Sequence, residues 1–402
     1  MKTTDSAPTI TAAPSTKGRE LISSMNRLEK WVEDHRYKGY EPFDGLSSWF
    51  RPLCFGNLMG ERLLQQLIRQ SPLNLRPLFG IKEQESTKGR GYMAAAYLLR
   101  YRTTGDSNYL AKAEMCLDWL DKNKAPKFTD HSWSNCFDFS SRGGKYTRHD
   151  PIIVWTSLIG HAYLDAYEIT KEQRWLTIAD SAARWVFKLP REKTDSGNCL
   201  SYLSFVQSSI HNANMLGAGL LARVGKFTGN AEYQKVAQSA MWYSCSRQLP
   251  DGSWWYAEEP KYHWIDNFHT GYNLDALKHY IDSTGDETWR GNMRRGLEFF
   301  KANFFEADGC PKYYHNRRYP IDSQCAGQAM ETLANFSDDD PSCLDLGVRC
   351  AQWTTRNMQA ADGHFYYRIY PWGKARTAML HWGQATIYKG LAQLTNKLAV
   401  SK

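Results

Sequence analysis

The sequence predicts an all-α fold, an (α/α)6 toroid in which six inner and six outer helices alternate around a ring. Three observations predict it. Four segments begin with Thr and carry an aromatic residue five positions later: Thr104 to Tyr109, Thr170 to Trp175, Thr228 to Tyr233, and Thr284 to Trp289. Their regular spacing indicates one supersecondary unit per repeat, and a weaker fifth copy starts at Ser337. Asp-Gly pairs at 251, 308 and 362 are each followed by aromatics, as in Trp254-Trp255-Tyr256, Tyr313-Tyr314 and Phe365-Tyr366-Tyr367. Six stretches rich in small residues alternate with more amphipathic ones: Gly91 to Leu99, Ile152 to Leu164, His211 to Leu221, Asn267 to Leu277, Asp322 to Leu333, and His381 to Leu391. Gly and Ala permit close packing at the centre of an assembly, while amphipathic helices suit its outside.

The elements follow in order. Residues 1–17 are polar, small and Pro-containing, and are expected to form a disordered arm ahead of one toroid domain, 18–402. A helix around Glu20 to His35 is expected to close the ring as outer partner of the last inner helix. The loop Gly39 to Trp49 holds two carboxylates, Glu41 and Asp44. Pro42 favours an extended Glu41, and Asp44-Gly45 favours a turn. A helical stretch ending near Ser71 follows, then an extended connection with two prolines, Ser71 to Gly80. Lys88-Gly-Arg-Gly91 opens the first inner helix and has neither phosphate-loop spacing.

The long loop 127–150 carries Arg148, His149 and Asp150, and Asp150-Pro151 reads as a helix start with Asp as cap. Asp150, Asp266 and Asp322 occupy similar places in their repeats and are expected to converge on one mouth of the ring. His211, His269 and His381 recur in the same way. His211 and Asn214 are poor choices for a helix interior and good ones for binding a polyol. The last repeat adds Tyr367, Arg368, His381 and Trp382, whose rings and guanidinium can stack on sugars and reach their hydroxyls and carboxylates.

A net charge of +8, with basic residues in the mouth loops, suits an acidic saccharide. The charges are not blocked into runs and no nucleic-acid module is present, so no nucleic-acid partner is expected. No stretch has the length of a transmembrane span or the pattern of a signal peptide. The nine Cys residues include no CxxC pair, which suits free thiols in a reducing, cytoplasmic setting. No HExxH or Cys/His ligand spacing occurs, and neither a metal nor another cofactor is expected.

Gly39-Tyr-Glu-Pro-Phe-Asp-Gly-Leu46, Ser71-Pro-Leu-Asn-Leu-Arg-Pro-Leu-Phe-Gly80 and Trp264-Ile-Asp-Asn-Phe-His-Thr-Gly-Tyr-Asn-Leu274 resemble segments of the six-hairpin glycosidase-like superfamily. Within it they look most like proteins of bacterial capsule and exopolysaccharide biosynthesis. The resemblance spans roughly residues 20–395 and implies the toroid, a saccharide substrate and partners in polysaccharide assembly. It names no reaction, because the superfamily includes hydrolases, lyases and epimerases. Gln248-Leu-Pro-Asp-Gly-Ser-Trp254 also fits the QxxxGxW repeat of terpene cyclases, although Asp338-Asp-Asp340 lacks their DxDD arrangement.

The leading expectation is a glycoside hydrolase-like enzyme with Asp150 and Asp266 as its carboxylate pair and Glu258, Glu259 and Asp322 next in line. Such a pair stands about 5–5.5 Å apart for retention and about 6.5–9.5 Å for inversion. The expected substrate-binding set is Arg148, His149, His211, Asn214, Trp254, Glu258, His263, His269, Tyr314, Arg318, Asp322, Tyr367, Arg368, His381 and Trp382. The alternatives are an epimerase or lyase with His211, His269 or His381 as base, a saccharide-binding subunit without catalysis, and, more remotely, a cyclase-like toroid.

Overall fold

The computed structural model describes residues 16–141 and 144–400. Its helices are α1 (Thr16–Asp34), α2 (Leu58–Gln70), α3 (Thr87–Thr104), α4 (Ser107–Lys122), α5 (Ile153–Thr170), α6 (Gln173–Phe187), α7 (His211–Thr228), α8 (Ala231–Cys245), α9 (Asn267–Thr284), α10 (Arg290–Asn303), α11 (Ser323–Asn335), α12 (Ser342–Met358) and α13 (Thr386–Val400). A π-turn, Leu380–Ala385, leads into α13. Of the expected disordered arm, residues 1–15 lie outside the described residues, and Thr16 and Lys17 begin α1.

The inner ring is α3, α5, α7, α9, α11 and α13, each packed on the next, with α13 returning to α3. Glycine permits the close approach. A Cβ on Gly160 of α5 would meet Leu220 of α7 at 2.8 Å, and one on Gly327 of α11 would meet the Thr386 backbone of α13 at 2.6 Å.

The recurring Thr is the last residue of an inner helix. Thr104, Thr170, Thr228 and Thr284 each donate through Oγ1 to the carbonyl four residues back, at 2.8–2.9 Å. A left-handed residue follows each (Gly105, Lys171, Gly229, Gly285), ending the helix. The next side chain caps the outer helix or its first turn at Asp106, Asn230 and Asp286. The aromatic that follows packs inward at Tyr109, against Tyr97 of α3, and at Trp175, against Tyr163 of α5, while Tyr233 meets Phe187 of α6.

The Asp-Gly turns show how the ring closes. Gly252, Gly309 and Gly363 all have positive φ. A Cβ on each would strike backbone of an outer helix: Arg295 of α10 at 2.4 Å, Arg349 of α12 at 2.6 Å, and Arg27 of α1 at 2.4 Å. Helix α1 therefore stands where the sixth outer helix belongs. The same device explains the QxxxGxW segment: Gln248 Nε2 donates to the Gly252 carbonyl, and Trp254 Nε1 donates to the Ser244 carbonyl of α8. Gln359 repeats the first contact with Gly363.

Short antiparallel pairings decorate the loops. Phe139–Ser141 pairs with Gly144–Tyr146, Arg191–Thr194 pairs with Gly197–Leu200, and Arg368–Tyr370 lies between Ile321–Asp322 and Gly373–Ala375. All nine cysteines are free thiols. Among the described residues no helix is long and apolar enough to cross a membrane.

Candidate functional site

Five inner-helix starts and their loops enclose a cavity of about 1330 Å³, lined by Lys88 before α3's second turn, Trp155 of α5, Asn212 of α7, Phe268, His269 and Tyr272 of α9, and His381 and Trp382 of the π-turn. Helix N-termini present unpaired backbone N–H groups and a positive dipole end, which favours anions. The side chains reinforce this. Arg62, Arg69, Arg317, Arg368 and Lys88 line the cavity together with His263, His269, His315 and His381, and no Asp or Glu does so among the described residues. Arg368 is ion-paired with Asp322. Arg69 lies over the Phe43 ring at 4.4 Å, and Arg317 over Tyr314 at 4.1 Å, neither of them ion-paired among the described residues.

The floor is built around His381. Its Nδ1 lies 2.8 Å from Glu41 Oε1, and its backbone N–H donates to the same oxygen. Ser86 Oγ also lies 3.2 Å from Nδ1; a proton held on Nδ1 by the carboxylate leaves Nε2 as a lone pair. That Nε2 is buried without a protein partner among the described residues. The Trp155 ring meets the imidazole edge-on at 5.5 Å. Burial pushes the His381 pKa down, Glu41 opposes this and Lys88 adds to it.

Glu41 is held by the loop before α2. Asp44 forms a buried ion pair with Arg76 at 2.8 Å and accepts the Glu41 N–H, while Arg76 Nη2 donates to the Glu41 carbonyl. The segment is tied to the π-turn by the Leu380 N–H donating to the Tyr40 carbonyl.

Beside His381, Lys88 Nζ donates to the Tyr272 hydroxyl at 3.0 Å and faces the rings of Trp155, Tyr92 and Tyr272. Burial pushes its pKa down to about 7 against the pull of Glu41. Tyr272 OH also accepts from Gln324 Nε2 and bonds Tyr92 OH, and burial raises its pKa, so it stays protonated.

Of the residues singled out by the sequence, the cavity brings together His263, His269, Tyr314, Arg368, His381 and Trp382. Asp266 and Asp322 lie just behind its wall in matching roles. Each caps its inner helix, accepts an indole N–H (Trp264 at 3.0 Å, Trp382 at 2.8 Å) and holds a cavity residue: His269 Nδ1 at 2.7 Å, and Arg368. Both oxygens of both carboxylates are thereby engaged.

Asp150 corrects an expectation. It does not cap α5, whose N-cap is Ile152. Ile152 is drawn into a bridge with Leu203, and Asp150, two residues before this N-cap, instead accepts from Thr147. Asp150, Arg148 and His149 are not among the cavity-lining residues. His211 is enclosed between Ser244 and Glu258, and its bond holds the Glu258 carboxyl below the usual range. Asn214 ties the Leu200 N–H to the Ala240 carbonyl. Trp254 packs between outer helices, Tyr367 accepts from Arg69, and Arg318 is exposed over the ring of cavity-lining Tyr319 without itself being among the lining residues.

Lys88, Tyr272 and Trp155 were missed as site residues. No local signal set them apart: Arg90 stands beside the same glycines as Lys88, and α5 and α9 carry several other large side chains.

No family model matches the sequence, and no curated protein matches it. Among solved structures the chain is similar to the cellobiose 2-epimerase of Bacillus thermoamylovorans, with 11% identity over 80% of this chain and 90% of that one and a TM-score of 0.61. It is similar to an unsaturated glucuronyl hydrolase specific for heparin, with 12% identity, coverage of 96% and 97%, and a TM-score of 0.63. A polysaccharide lyase matches with 10% identity, coverage of 96% and 98%, and a TM-score of 0.59. At such identities the likeness is one of fold, and the chain has the six-hairpin (α/α)6 toroid fold of these structures. Three reactions on one scaffold leave the chemistry to the site.

Proposed function

We propose that the chain is an enzyme that binds an acidic saccharide and removes a proton from carbon next to its carboxylate or carbonyl, the step shared by epimerases and lyases. The observation carrying this reading is a cavity with imidazoles and cations but no lining carboxylate among the described residues. Hydrolysis by paired carboxylates needs both groups at the sugar, and the oxygens of Asp266 and Asp322 are occupied within the wall.

In this reading Arg62, Arg69 and Arg317 hold the substrate carboxylate, and His381 Nε2 takes the proton, its imidazole oriented by Glu41 as a positioning residue. Negative charge developing on the substrate carboxylate or carbonyl is stabilised by Lys88 and the arginines. His269, oriented at Nδ1 by Asp266, supplies a proton from another part of the wall. Delivered to the same carbon it completes an epimerisation; delivered to a departing glycosidic oxygen it completes an elimination. The residues resembling capsule and exopolysaccharide proteins support a substrate from that class of acidic bacterial saccharide. They also support partners in polysaccharide assembly.

The test is incubation of uronic-acid-containing oligosaccharides in heavy water, read by mass spectrometry. Deuterium on carbon of an intact sugar identifies an epimerase, and an unsaturated fragment a lyase. Fragments that gain only water would overturn the proposal in favour of hydrolysis. Unchanged sugars that still bind would favour the binding subunit.

A further inference from the structure

The ring encloses a second cavity, of about 320 Å³, at the end away from the mouth. Arg102 of α3, Lys226 of α7 and Asp282 of α9 are exposed at its rim, and Ala95 and Leu216 are buried in its wall. The volume is that of a small-molecule site.

Three buried polar atoms of the residues lining it have no partner among the described residues: His161 Nε2, Gln328 Oε1 and Glu331 Oε2. Their surroundings fix what each one needs. Arg223 can only donate, so His161 Nδ1 accepts from it at 3.0 Å, and the neutral ring carries its proton on Nε2. Gln328 Nε2 donates to Asp275 at 2.7 Å and to Thr332 at 3.2 Å, which makes Oε1 an acceptor. Glu331 Oε1 is taken by Lys389 at 2.6 Å, and Oε2 is a second acceptor. One donor and two acceptors therefore remain in one wall, where unpaired groups are costly. They face each other across the ring, because α5 and α11 are separated by two inner helices in either direction.

Charge narrows the class of occupant. The lining ions are already paired, Arg223 with Asp165 and Glu168, and Lys389 with Glu331. Burial first, and Arg223 second, push the His279 pKa down to about 3, and burial likewise keeps His161, stacked on it at 4.6 Å, uncharged. Burial and then Glu331 raise Asp275 to about 7. A further buried charge of either sign meets the same penalty. A hydroxyl both donates and accepts, so one neutral group serves all three atoms.

We propose that this cavity binds a neutral polyhydroxyl compound of monosaccharide size, whose hydroxyls accept from His161 Nε2 and donate to Gln328 Oε1 and Glu331 Oε2, tying α5 to α11. Its role is to stabilise the ring. His269, His381 and Lys88 do not line this cavity, so the site stands apart from the reaction proposed above.

The test is thermal unfolding of the full chain, followed by circular dichroism, during titration with D-glucose, D-mannose, myo-inositol or glycerol. At least one is expected to raise the midpoint by a few degrees and to saturate; a hexose doing so points to a free sugar, and inositol or glycerol to a polyol. Glu331→Gln keeps the shape and an oxygen for Lys389 but puts an N–H in place of Oε2, and should weaken the binding about tenfold. Ser283→Phe, at a half-buried lining position, should abolish it by filling the opening, and decides the matter if Glu331→Gln does not fold. His381→Asn, at the mouth, should respond as the unaltered protein does. No saturating rise with any of the four compounds overturns the proposal. So does a linear rise alike in every variant, which is solvent exclusion. A saturating rise lost in His381→Asn and kept in both cavity variants places the binding at the mouth and also overturns it. L-Serine or putrescine acting in place of the neutral compounds would assign the cavity to a charged ligand, with the same consequence.

Discussion

The two ends of the ring axis are built from the same six helices and use charge in opposite ways. At the N-terminal end, cations and imidazoles face open space and the acids are withdrawn behind the wall. At the other end a smaller cavity of about 320 Å³ is lined by acids and bases together. There Arg223 donates to His161, Asp165 and Glu168 at 3.0, 2.8 and 3.2 Å, and Lys389 pairs with Glu331 at 2.6 Å. Asp275 accepts from Gln328, Thr332 and Asn335. Tyr272 lines both cavities and stands between them. The contrast teaches where function and stability are separated. Ion pairs are concentrated at one end, where His161 Nε2, Gln328 Oε1 and Glu331 Oε2 are nonetheless unpartnered among the described residues, while arginines and imidazoles without a lining acid face the other.

The strongest way to break this comparison is at His381. His381→Asn is expected to lower deuterium exchange or product formation about 10³-fold while saccharide binding is retained, because it removes the base and not the arginines. Glu41→Gln should cost about tenfold in turnover. Glu41 opposes the downward shift of the His381 pKa. Its neutralisation should therefore move the acid limb of the pH–rate profile to lower pH, a displacement that simple loss of packing would not produce.

At the opposite end Arg223→Met should do the reverse. It leaves Asp165 and Glu168 without their buried partner, and unfolding in urea is expected to show a loss of about 3 kcal/mol. Exchange at the mouth, measured below the transition, should be unchanged. Loss of chemistry without loss of stability in this variant would mean that the two ends are not separate.

Lys88 tests the boundary. Its pKa is about 7 in the fold against a reference of 10.5, so the folded state releases a proton that the unfolded chain keeps. The cost of the buried charge is full below about pH 7 and is relieved as pH rises towards about 10.5. Lys88→Met should accordingly raise stability by about 1–2 kcal/mol at pH 6, less at pH 9, and reduce turnover. Lower stability at pH 6 would show that the cation belongs to the supporting network instead.

The ring itself was legible because its signals are local. A Thr, a left-handed residue and a capping side chain occupy adjacent positions, and the Asp-Gly turns repeat at the other end of each hairpin. The site was legible only in part, because its pairings are not local. Glu41 and the His381 backbone are 340 positions apart, and nothing near either one announces the other. Asp266 and Asp322 were conspicuous for a reason that does not distinguish roles: a carboxylate at a helix start looks the same whether it caps, positions or reacts. Only Trp264, Trp382, His269 and Arg368, arriving from four directions, show how its lone pairs are used. Lys88 was read as part of a Gly-rich opening, and with Arg90 two positions on between the same glycines nothing local singled it out.

The finest distinction between the two ends lies in Asp275. Burial first, and Glu331 second, push its pKa from 3.8 up to about 7. Between those values the folded state holds a proton that the unfolded chain has lost, so the stability this group provides is complete below about pH 4 and disappears as pH rises through about 7. Asp275→Asn keeps the shape but removes the titration. The stability of the parent protein minus that of the variant, from urea unfolding at several pH values, should fall by roughly 4 kcal/mol over that interval. A difference independent of pH would mean that Asp275 is charged throughout, with Lys389 compensating both acids. The end of the ring assigned to stability would then carry a fixed ion network in place of a shared proton.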